Sequence, residues 1–194
     1  MSLDKKILVF GGTGFIGFNL VKKLAKTQQS NSITLADNLW RGKMDEELSE
    51  YLEHNDSISF IEIDLTNIVE YKKLNSHYDE IYLLSAVVGV KYTKEQPEFV
   101  VSVNSLIVLN VLKWLSDKND FKLLFASTSE VYSGFLQAGK EILPTPEEIP
   151  VCINDILNPR FSYAASKIMG EAAVVAYARK YNFPATIVRY HNIY

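Results

Sequence analysis

Residues 11–17 read Gly11-Gly12-Thr13-Gly14-Phe15-Ile16-Gly17, a glycine-rich turn between an apolar run and an amphipathic segment. The apolar run Ile7 to Phe10 predicts a buried strand, and apolar residues at helical spacing predict a helix over Gly14 to Lys26. Glycines at such a junction let the backbone turn tightly and approach a pyrophosphate, whose charge is met by free amides and the positive end of the helix dipole. The turn favours a site for a dinucleotide's phosphates, although the motif alone is equally compatible with a purely structural turn.

An acidic residue ends the next apolar run, about 20 residues after the turn. Ser32 to Ala36 predicts a strand, and Asp37 follows it where a dinucleotide-binding fold places the acid that binds the adenosine ribose hydroxyls. Alone, such an Asp is more typical of a solvated turn, but beside the glycine turn we expect it to bind the ribose. Asp37 would repel the extra phosphate of NADP, so NAD is the expected cofactor, with nearby Arg41 as the one residue that favours NADP.

The composition is that of one globular domain. The 194 residues are 47% hydrophobic with a formal net charge of -3, and the lysines are dispersed among acids, so we expect no nucleic-acid partner. The polar N-terminus does not resemble a signal peptide, and the longest apolar stretch, Ile81 to Val90, is too short to span a bilayer, so we expect no membrane association. The single cysteine, Cys152, rules out an internal disulfide and fits a cytoplasmic location, and the three histidines lack metal-ligand spacing.

Strand-like and helix-like segments alternate along the chain. Further strands are predicted at Ile58 to Ile63, Ile81 to Ala86, Phe121 to Ser127 and Ala185 to Tyr190. Clear helices are predicted at Pro97 to Ser116 and Phe161 to Tyr181, with weaker ones at Met44 to Glu53 and Ile68 to Leu74. This alternation predicts an α/β fold over residues 1–194: a doubly wound parallel sheet of the NAD(P)-binding Rossmann type, with ligands at the carboxyl ends of the strands. The proline-containing connection Tyr132 to Pro159 is expected to be an active-site loop.

Two later segments carry reactive side chains. Thr128 lies at the end of the fifth predicted strand, and Tyr163 and Lys167 lie one helical turn apart. A Tyr-x-x-x-Lys pair is expected about once by chance in this composition, so its place after a hydroxyl-rich strand end matters more than its spacing. A phenol accepts a proton near neutral pH only if its pKa falls from about 10 to near 7, which a lysine ammonium and a positive nicotinamide ring would favour. The alternative is a core tyrosine with a snorkelling lysine.

With four further marks, the chain resembles the NAD-dependent nucleotide-sugar epimerase/dehydratase family of extended short-chain dehydrogenases/reductases. The marks are Asp64-Leu65 after the third strand, Leu84-Ser85-Ala86 at the end of the fourth, Asn104, and Arg189-Tyr190-His191-Asn192. Each is unspecific alone, whereas the set, spread from Lys6 to Tyr194, is highly specific.

The resemblance implies the site residues. NAD would be bound by Gly11, Gly14, Phe15, Ile16, Gly17, Asp37, Asn38, Asp64, Leu65, Leu84, Ser85, Ala86, Asn104, Lys167 and Tyr190. The catalytic residues would be Tyr163, Lys167, Thr128 and Glu130, and the nucleotide-sugar substrate would contact Ser129 and Asn192. Asp64 as a turn cap and Asn104 as a hydrogen bonder within its helix are the structural alternatives, and Glu130 is equally a second acid/base or a strand-end carboxylate.

The implied reaction is a transient oxidation to a 4-keto sugar. Tyr163 would remove a hydroxyl proton, Thr128 would hydrogen-bond the same oxygen, and NAD would take the adjacent hydride, after which epimerisation, dehydration or decarboxylation can follow. The triplet Thr128-Ser129-Glu130 is more like that of nucleotide-sugar decarboxylases and GDP-mannose dehydratases than that of dTDP-glucose dehydratases, and many epimerases share it. Ser133 stands where the family usually has Gly, which predicts a different loop geometry.

Alternatives remain open for the function. They are a UDP-glucuronate decarboxylase-like enzyme, a reductase or dehydrogenase that releases the reduced cofactor, and a non-catalytic NAD-binding protein, against which the intact Thr128, Tyr163 and Lys167 argue. The helices Pro97 to Ser116 and Phe161 to Tyr181 carry more apolar residues than one covered face needs, and relatives pair them between subunits, so we expect a homodimer. We also expect a C-terminal substrate-binding region that is not in this chain.

Overall fold

The computed structural model describes residues 4–27, 31–137, 139, 142 and 144–193, and its centre is one six-stranded sheet. The strands are β1 (Lys6–Phe10), β2 (Ser32–Asp37), β3 (Ile58–Glu62), β4 (Glu80–Leu83), β5 (Lys122–Thr128) and β6 (Ala185–Tyr190). They are arranged in the order β3-β2-β1-β4-β5-β6, and every pairing is parallel. The strand order reverses between β1 and β4, and this is where parallel sheets open a crevice for ligands.

Helices connect the strands. They are α1 (Phe15–Thr27), α2 (Glu46–Glu53), α3 (Val90–Glu95), α4 (Pro97–Leu115), α5 (Ser133–Gln137) and α6 (Ser162–Tyr181). Short 3-10 turns cover Ile68–Lys73, Ser129–Tyr132 and Pro159–Phe161. Polar residues fix several ends: the Asp45 carboxylate accepts a hydrogen bond from the Leu48 amide at the start of α2, and Asn182 ends α6 in the left-handed conformation.

The sheet is covered on both faces. Leu8 and Phe10 of β1 belong to a core that includes Val111 of α4, whereas Ile7 and Val9 belong to a second core with Val21 of α1. These strand residues have no exposed surface, as their continuous apolar runs predict. The two cores confirm the expected doubly wound parallel fold.

The structure corrects several predicted boundaries. β4 ends at Leu83, three residues before the predicted end, so Leu84-Ser85-Ala86 leaves the hydrogen-bonded ladder. The helix α3 escaped prediction because it has six residues, of which only Thr93 is buried, and it lies between Gly89 and Pro97.

The connection after β5 also contains an unpredicted helix, α5, which begins at Ser133. The family pattern has Gly at the position of Ser133, whereas here the next residue, Gly134, must be glycine. A Cβ on Gly134 would lie 2.8 Å from Cys152 Sγ.

One described helix, α4, is long and apolar enough to cross a membrane by length and composition alone. The sequence predicts this helix at Pro97 to Ser116, but the longest apolar stretch in the sequence is the shorter Ile81 to Val90, so α4 is not expected to combine this length with this hydropathy. Val100, Val111 and Leu112 of α4 are completely buried against the rest of the domain. A core helix of a globular domain passes the same length and composition criteria, and one face of α4 packs into the core that contains Leu8 and Phe10.

Candidate active site

A cleft of roughly 1040 Å³ opens at the carboxyl ends of the strands. It runs from the glycine turn and Asp37 on one side of the strand-order reversal to Thr128, Tyr163 and Lys167 on the other. Most of the residues that the resemblance assigned to NAD line it: Gly11, Gly14, Phe15, Ile16, Gly17, Asp37, Asn38, Asp64, Leu65, Leu84, Ser85, Ala86, Lys167 and Tyr190. Asn192, expected at the substrate, lines it as well.

The glycine turn is shaped by two close backbone approaches. A Cβ on Gly17 would lie 2.1 Å from the Gly11 carbonyl oxygen, so Gly17 lets α1 start directly on the turn. Gly11 has φ +80°, and a Cβ there would lie 2.8 Å from the Ser85 amide nitrogen. Gly14 is different, because its nearest neighbour would be an ordinary 3.4 Å away. The lack of a side chain at Gly14 leaves the cleft open to a ligand at the start of the helix.

The turn also contains a hydroxyl group that lacks a hydrogen-bond partner within the described part of the chain and could bind a dinucleotide. The Thr13 hydroxyl is buried beside the turn without a hydrogen-bond partner among the described residues, and it lines the cleft. Burying such a hydroxyl costs free energy unless a ligand or a water molecule forms a hydrogen bond with it. Together with the open helix start at Gly14, it fits the phosphates of NAD.

Asp37 is held in place by backbone amides. Its carboxylate accepts hydrogen bonds from the Leu39 amide at 3.0 Å and from the Thr13 amide at 3.3 Å. Asp64 caps its own turn through Thr66, with an amide contact of 2.9 Å, while still lining the cleft. The turn-cap alternative is therefore observed for Asp64, and it leaves this residue at the site.

Tyr163 and Lys167 face the end of β5 from α6. The Lys167 ammonium donates a hydrogen bond of 2.7 Å to the Ala126 carbonyl and lies 5.7 Å from the centre of the Tyr163 ring. Burial lowers the pKa of Lys167 to about 8. Burial, and then the charge of Glu130, raise the pKa of Tyr163 to about 12, so the protein alone does not supply the lowered phenol pKa that proton transfer needs. That lowering stays a prediction for the state with the positive cofactor ring present.

A family model described as NAD dependent epimerase/dehydratase family matches residues 7–194. The chain belongs to this family. A UDP-N-acetyl-alpha-D-glucosaminuronate decarboxylase of Bacillus cytotoxicus is 34% identical over 193 residues, covering 99% of this chain and 56% of that protein.

Solved structures agree with the family assignment. A UDP-galactose 4-epimerase superimposes with a TM-score of 0.78 at 29% identity, over 96% of this chain and 56% of that one. The UDP-glucose 4-epimerase of Thermus thermophilus, solved as its complex with NAD, gives a TM-score of 0.78 at 27% identity, over 97% and 56%. The chain thus spans a little over half the length of these epimerase/dehydratase relatives.

Three of the assigned residues do not line the cleft of this epimerase/dehydratase family member. Asn104 lies behind it: its amide group exchanges hydrogen bonds with the Val87 backbone at 2.7 and 3.1 Å and donates to Ser166 at 3.3 Å. A contact of Asn104 with the cofactor stays a prediction, whereas its structural role is to join the loop after β4 to α6. Ser129 and Glu130 form the turn after Thr128, and the charge of Glu130 reaches Tyr163.

A polar cluster that the sequence does not predict joins α6 to the ends of β5 and β6, next to the residues expected to be catalytic. The buried Glu171 carboxylate accepts a hydrogen bond of 2.5 Å from Ser127 and binds the Arg189 guanidinium through both oxygens, at 2.9 and 2.6 Å. Arg189 also donates to the Tyr132 hydroxyl at 2.8 Å, and its pKa is raised by Glu171. Ser127 and Arg189 lie 44 and 18 residues from Glu171 along the chain, so no local sequence signal indicates the cluster.

The remaining expectations concern metals and the long connection. Among the described residues, no group of three or more His, Cys, Asp or Glu side chains could hold a metal ion. The cleft lining includes none of the described residues between Ser133 and Pro159, so an active-site role for that connection stays a prediction.

Proposed function

We propose that this chain is the NAD-binding and catalytic part of a nucleotide-sugar epimerase/dehydratase that works through a transient 4-keto sugar. The observation that carries this proposal is that Thr128, Tyr163 and Lys167 line the same cleft as the glycine turn and Asp37. A cofactor extended across the strand-order reversal would have its adenosine end near Asp37 and its reactive end near Lys167.

In this proposal the side chains divide the work. When bound, NAD would supply a reversible hydride acceptor. The Tyr163 phenolate takes the proton of the sugar hydroxyl, and the hydroxyl of Thr128, the last residue of β5, hydrogen-bonds the same oxygen. The Lys167 ammonium donates a hydrogen bond to the Ala126 carbonyl and lines the cleft. When charged, it favours the phenolate form of Tyr163. Glu130 is the further acid/base candidate, because its charge already acts on Tyr163.

The cleft favours NAD over NADP. Asp37 places a carboxylate where an additional ribose phosphate would be repelled. Arg41, the residue that would have favoured NADP, instead directs its guanidinium to the Val88 carbonyl at 2.9 Å, across the cleft from Asp37.

The keto sugar can be epimerised or can lose a small molecule. The names of the relatives support a UDP-sugar as the substrate class. Decarboxylation is the second candidate, because a decarboxylase is 34% identical to this chain and the Thr128-Ser129-Glu130 triplet fits such enzymes.

The test is to incubate the longest native form of the protein with NAD and a panel of UDP-, GDP-, CDP- and dTDP-sugars, with products read by chromatography and mass spectrometry. Loss of carbon dioxide or water identifies a decarboxylase or dehydratase, and a changed retention time at unchanged mass identifies an epimerase. NAD binding without any product would favour the non-catalytic reading instead.

We also propose that the protein is a cytoplasmic homodimer. Leu106 and Leu109 of α4 and Val175 of α6 are exposed by 46, 41 and 39%, although the two helices pack closely against each other. A second copy that covers these side chains would remove this apolar surface from water. The single cysteine, Cys152, is compatible with a reducing compartment.

A further inference from the structure

The segment that follows β2 has an unusual backbone conformation. Leu39 has φ +56°, a left-handed value that is uncommon for a residue other than glycine. Two hydrogen bonds hold it there: the Asp37 carboxylate accepts one from the Leu39 amide, and the Asn38 side chain accepts one of 3.1 Å from the Trp40 amide. Such strain persists only where the surroundings fix it, and it is often found at ligand clamps.

The two side chains that this conformation presents reach the opposite wall of the cleft. Arg41 donates its hydrogen bond to the Val88 carbonyl in the loop after β4. The Trp40 ring packs against Tyr92 of α3 and Phe99 of α4, with ring centres 5.0 and 5.5 Å away. Because β2 and β4 flank β1 in the sheet, these contacts bridge the cleft past the end of β1, where the glycine turn begins.

The same segment rests directly on the glycine turn. A Cβ on Gly42 would lie only 2.3 Å from the Thr13 hydroxyl oxygen, so the backbone at Gly42 packs against the turn with no room for a side chain. Trp40, Arg41, Gly42, Val88 and Phe99 all line the cleft. The segment therefore contacts the phosphate-binding turn at one end and the far wall at the other.

We propose that Trp40 and Arg41 form a clasp that closes the cofactor cleft and retains bound NAD, an inference that rests on the proposed NAD-dependent function. Trp40 is 47% exposed and Arg41 is exposed, so the clasp opens without disturbing either core. NAD enters and leaves through the open state in this scheme. The clasp slows both association and dissociation, and it leaves the equilibrium affinity nearly unchanged.

Stopped-flow NAD binding to Trp40→Leu, Arg41→Gln and the double variant tests the clasp. Both rate constants should rise together, on the order of tenfold for the double variant, a change comparable to the loss of about one hydrogen bond. The matched control is Lys91→Gln: Lys91 is exposed on α3 next to Tyr92, does not line the cleft, and among the described residues has no hydrogen-bond or ion-pair partner. Its rate constants should equal those of the wild type.

A fluorescence measurement without cofactor tests the closed state itself. The protein has two tryptophans, and Trp114 packs in the core against Phe10, so a Trp114→Phe background leaves Trp40 as the reporter. In that background, Arg41→Gln should increase the quenching of Trp40 by acrylamide, whereas Lys91→Gln should not.

The outcomes separate the clasp from the proposed function. NAD binding with unchanged rates and unchanged quenching in the Trp40 and Arg41 variants would overturn the clasp and leave the function standing. A faster dissociation with a proportional loss of affinity would make Arg41 a direct ligand of NAD and would also overturn it. A wild-type protein that fails to bind NAD would contradict the proposed function, while the quenching experiment would still report on the contact.

Discussion

At Lys167, an ammonium group is held inside the protein by one carbonyl oxygen, and its burial lowers the pKa from 10.5 to about 8. Between these two values the unfolded chain binds more protons than the folded one, so this residue makes the free energy of unfolding rise with pH. The difference in unfolding free energy between wild type and Lys167→Met should therefore change in favour of the wild type from pH 8 to 10.5, by up to about 3 kcal/mol. Urea unfolding across this pH range measures it.

The matched control for this pH effect is Lys91→Met on the exposed side of α3. Its unfolding free energy should run parallel to that of the wild type across the same pH range, because its ammonium is not buried. A Lys167→Met curve parallel to the wild-type curve would contradict the lowered pKa.

Tyr163 is the residue on which the proposed chemistry depends most directly. Tyr163→Phe removes the proton acceptor and leaves the glycine turn, Asp37 and Lys167 unchanged. The variant should bind NAD like the wild type and lose activity by at least about 100-fold, the usual contribution of a positioned proton-transfer group. Calorimetric NAD titration and turnover of the identified sugar measure the two properties, and near-full activity would rule out Tyr163 as the base.

At the scale of elements, Glu171 joins α6 to the ends of β5 and β6. Glu171→Ala would leave the buried Ser127 hydroxyl and the Arg189 guanidinium without their partner. Breaking one side of a buried ion pair costs about 3–5 kcal/mol, so urea unfolding should show a loss of that size.

An exposed ion pair provides the control. Glu47→Ala removes the partner of Lys22, whose contact of 2.9 Å lies on the surface, and should cost no more than about 1 kcal/mol. Equal losses in the Glu171 and Glu47 variants would mean that the cluster beneath the site does not hold these elements together.

How far the sequence predicts such contacts depends on their range along the chain. The six strands and the longer helices follow from apolar runs and helical spacing, and the glycine turn and Asp37 follow from their places at strand ends. The Glu171 cluster joins residues 18 and 44 positions apart, and the Trp40 contacts depend on the positive φ of Leu39, which no local pattern indicates. The end of β4 at Leu83 does not follow from the sequence, because Leu84 and Ala86 continue the apolar pattern of the strand although they line the cleft.

At the scale of the whole molecule, the exposed apolar face of α4 and α6 predicts association. The wild type should sediment as a dimer at micromolar concentration, and Leu109→Lys should produce monomers, because it places a charge in the proposed interface. Val69→Lys, at a side chain 61% exposed on the Ile68–Lys73 turn, is the matched control and should remain dimeric. Sedimentation velocity measures all three, and a monomeric wild type would contradict the proposal.

The reversal of strand order between β1 and β4 separates the residues proposed to bind the adenosine and phosphates of NAD from those proposed to act on the sugar. The turn after β1 and the acid after β2 lie on one side of it, and Thr128, Tyr163 and Lys167 lie on the other. Mutations that erase the reactive side chains would leave the nucleotide-binding half of the sheet intact. If the proposed function holds, a descendant of this chain would therefore lose turnover more readily than recognition of the adenosine end of NAD.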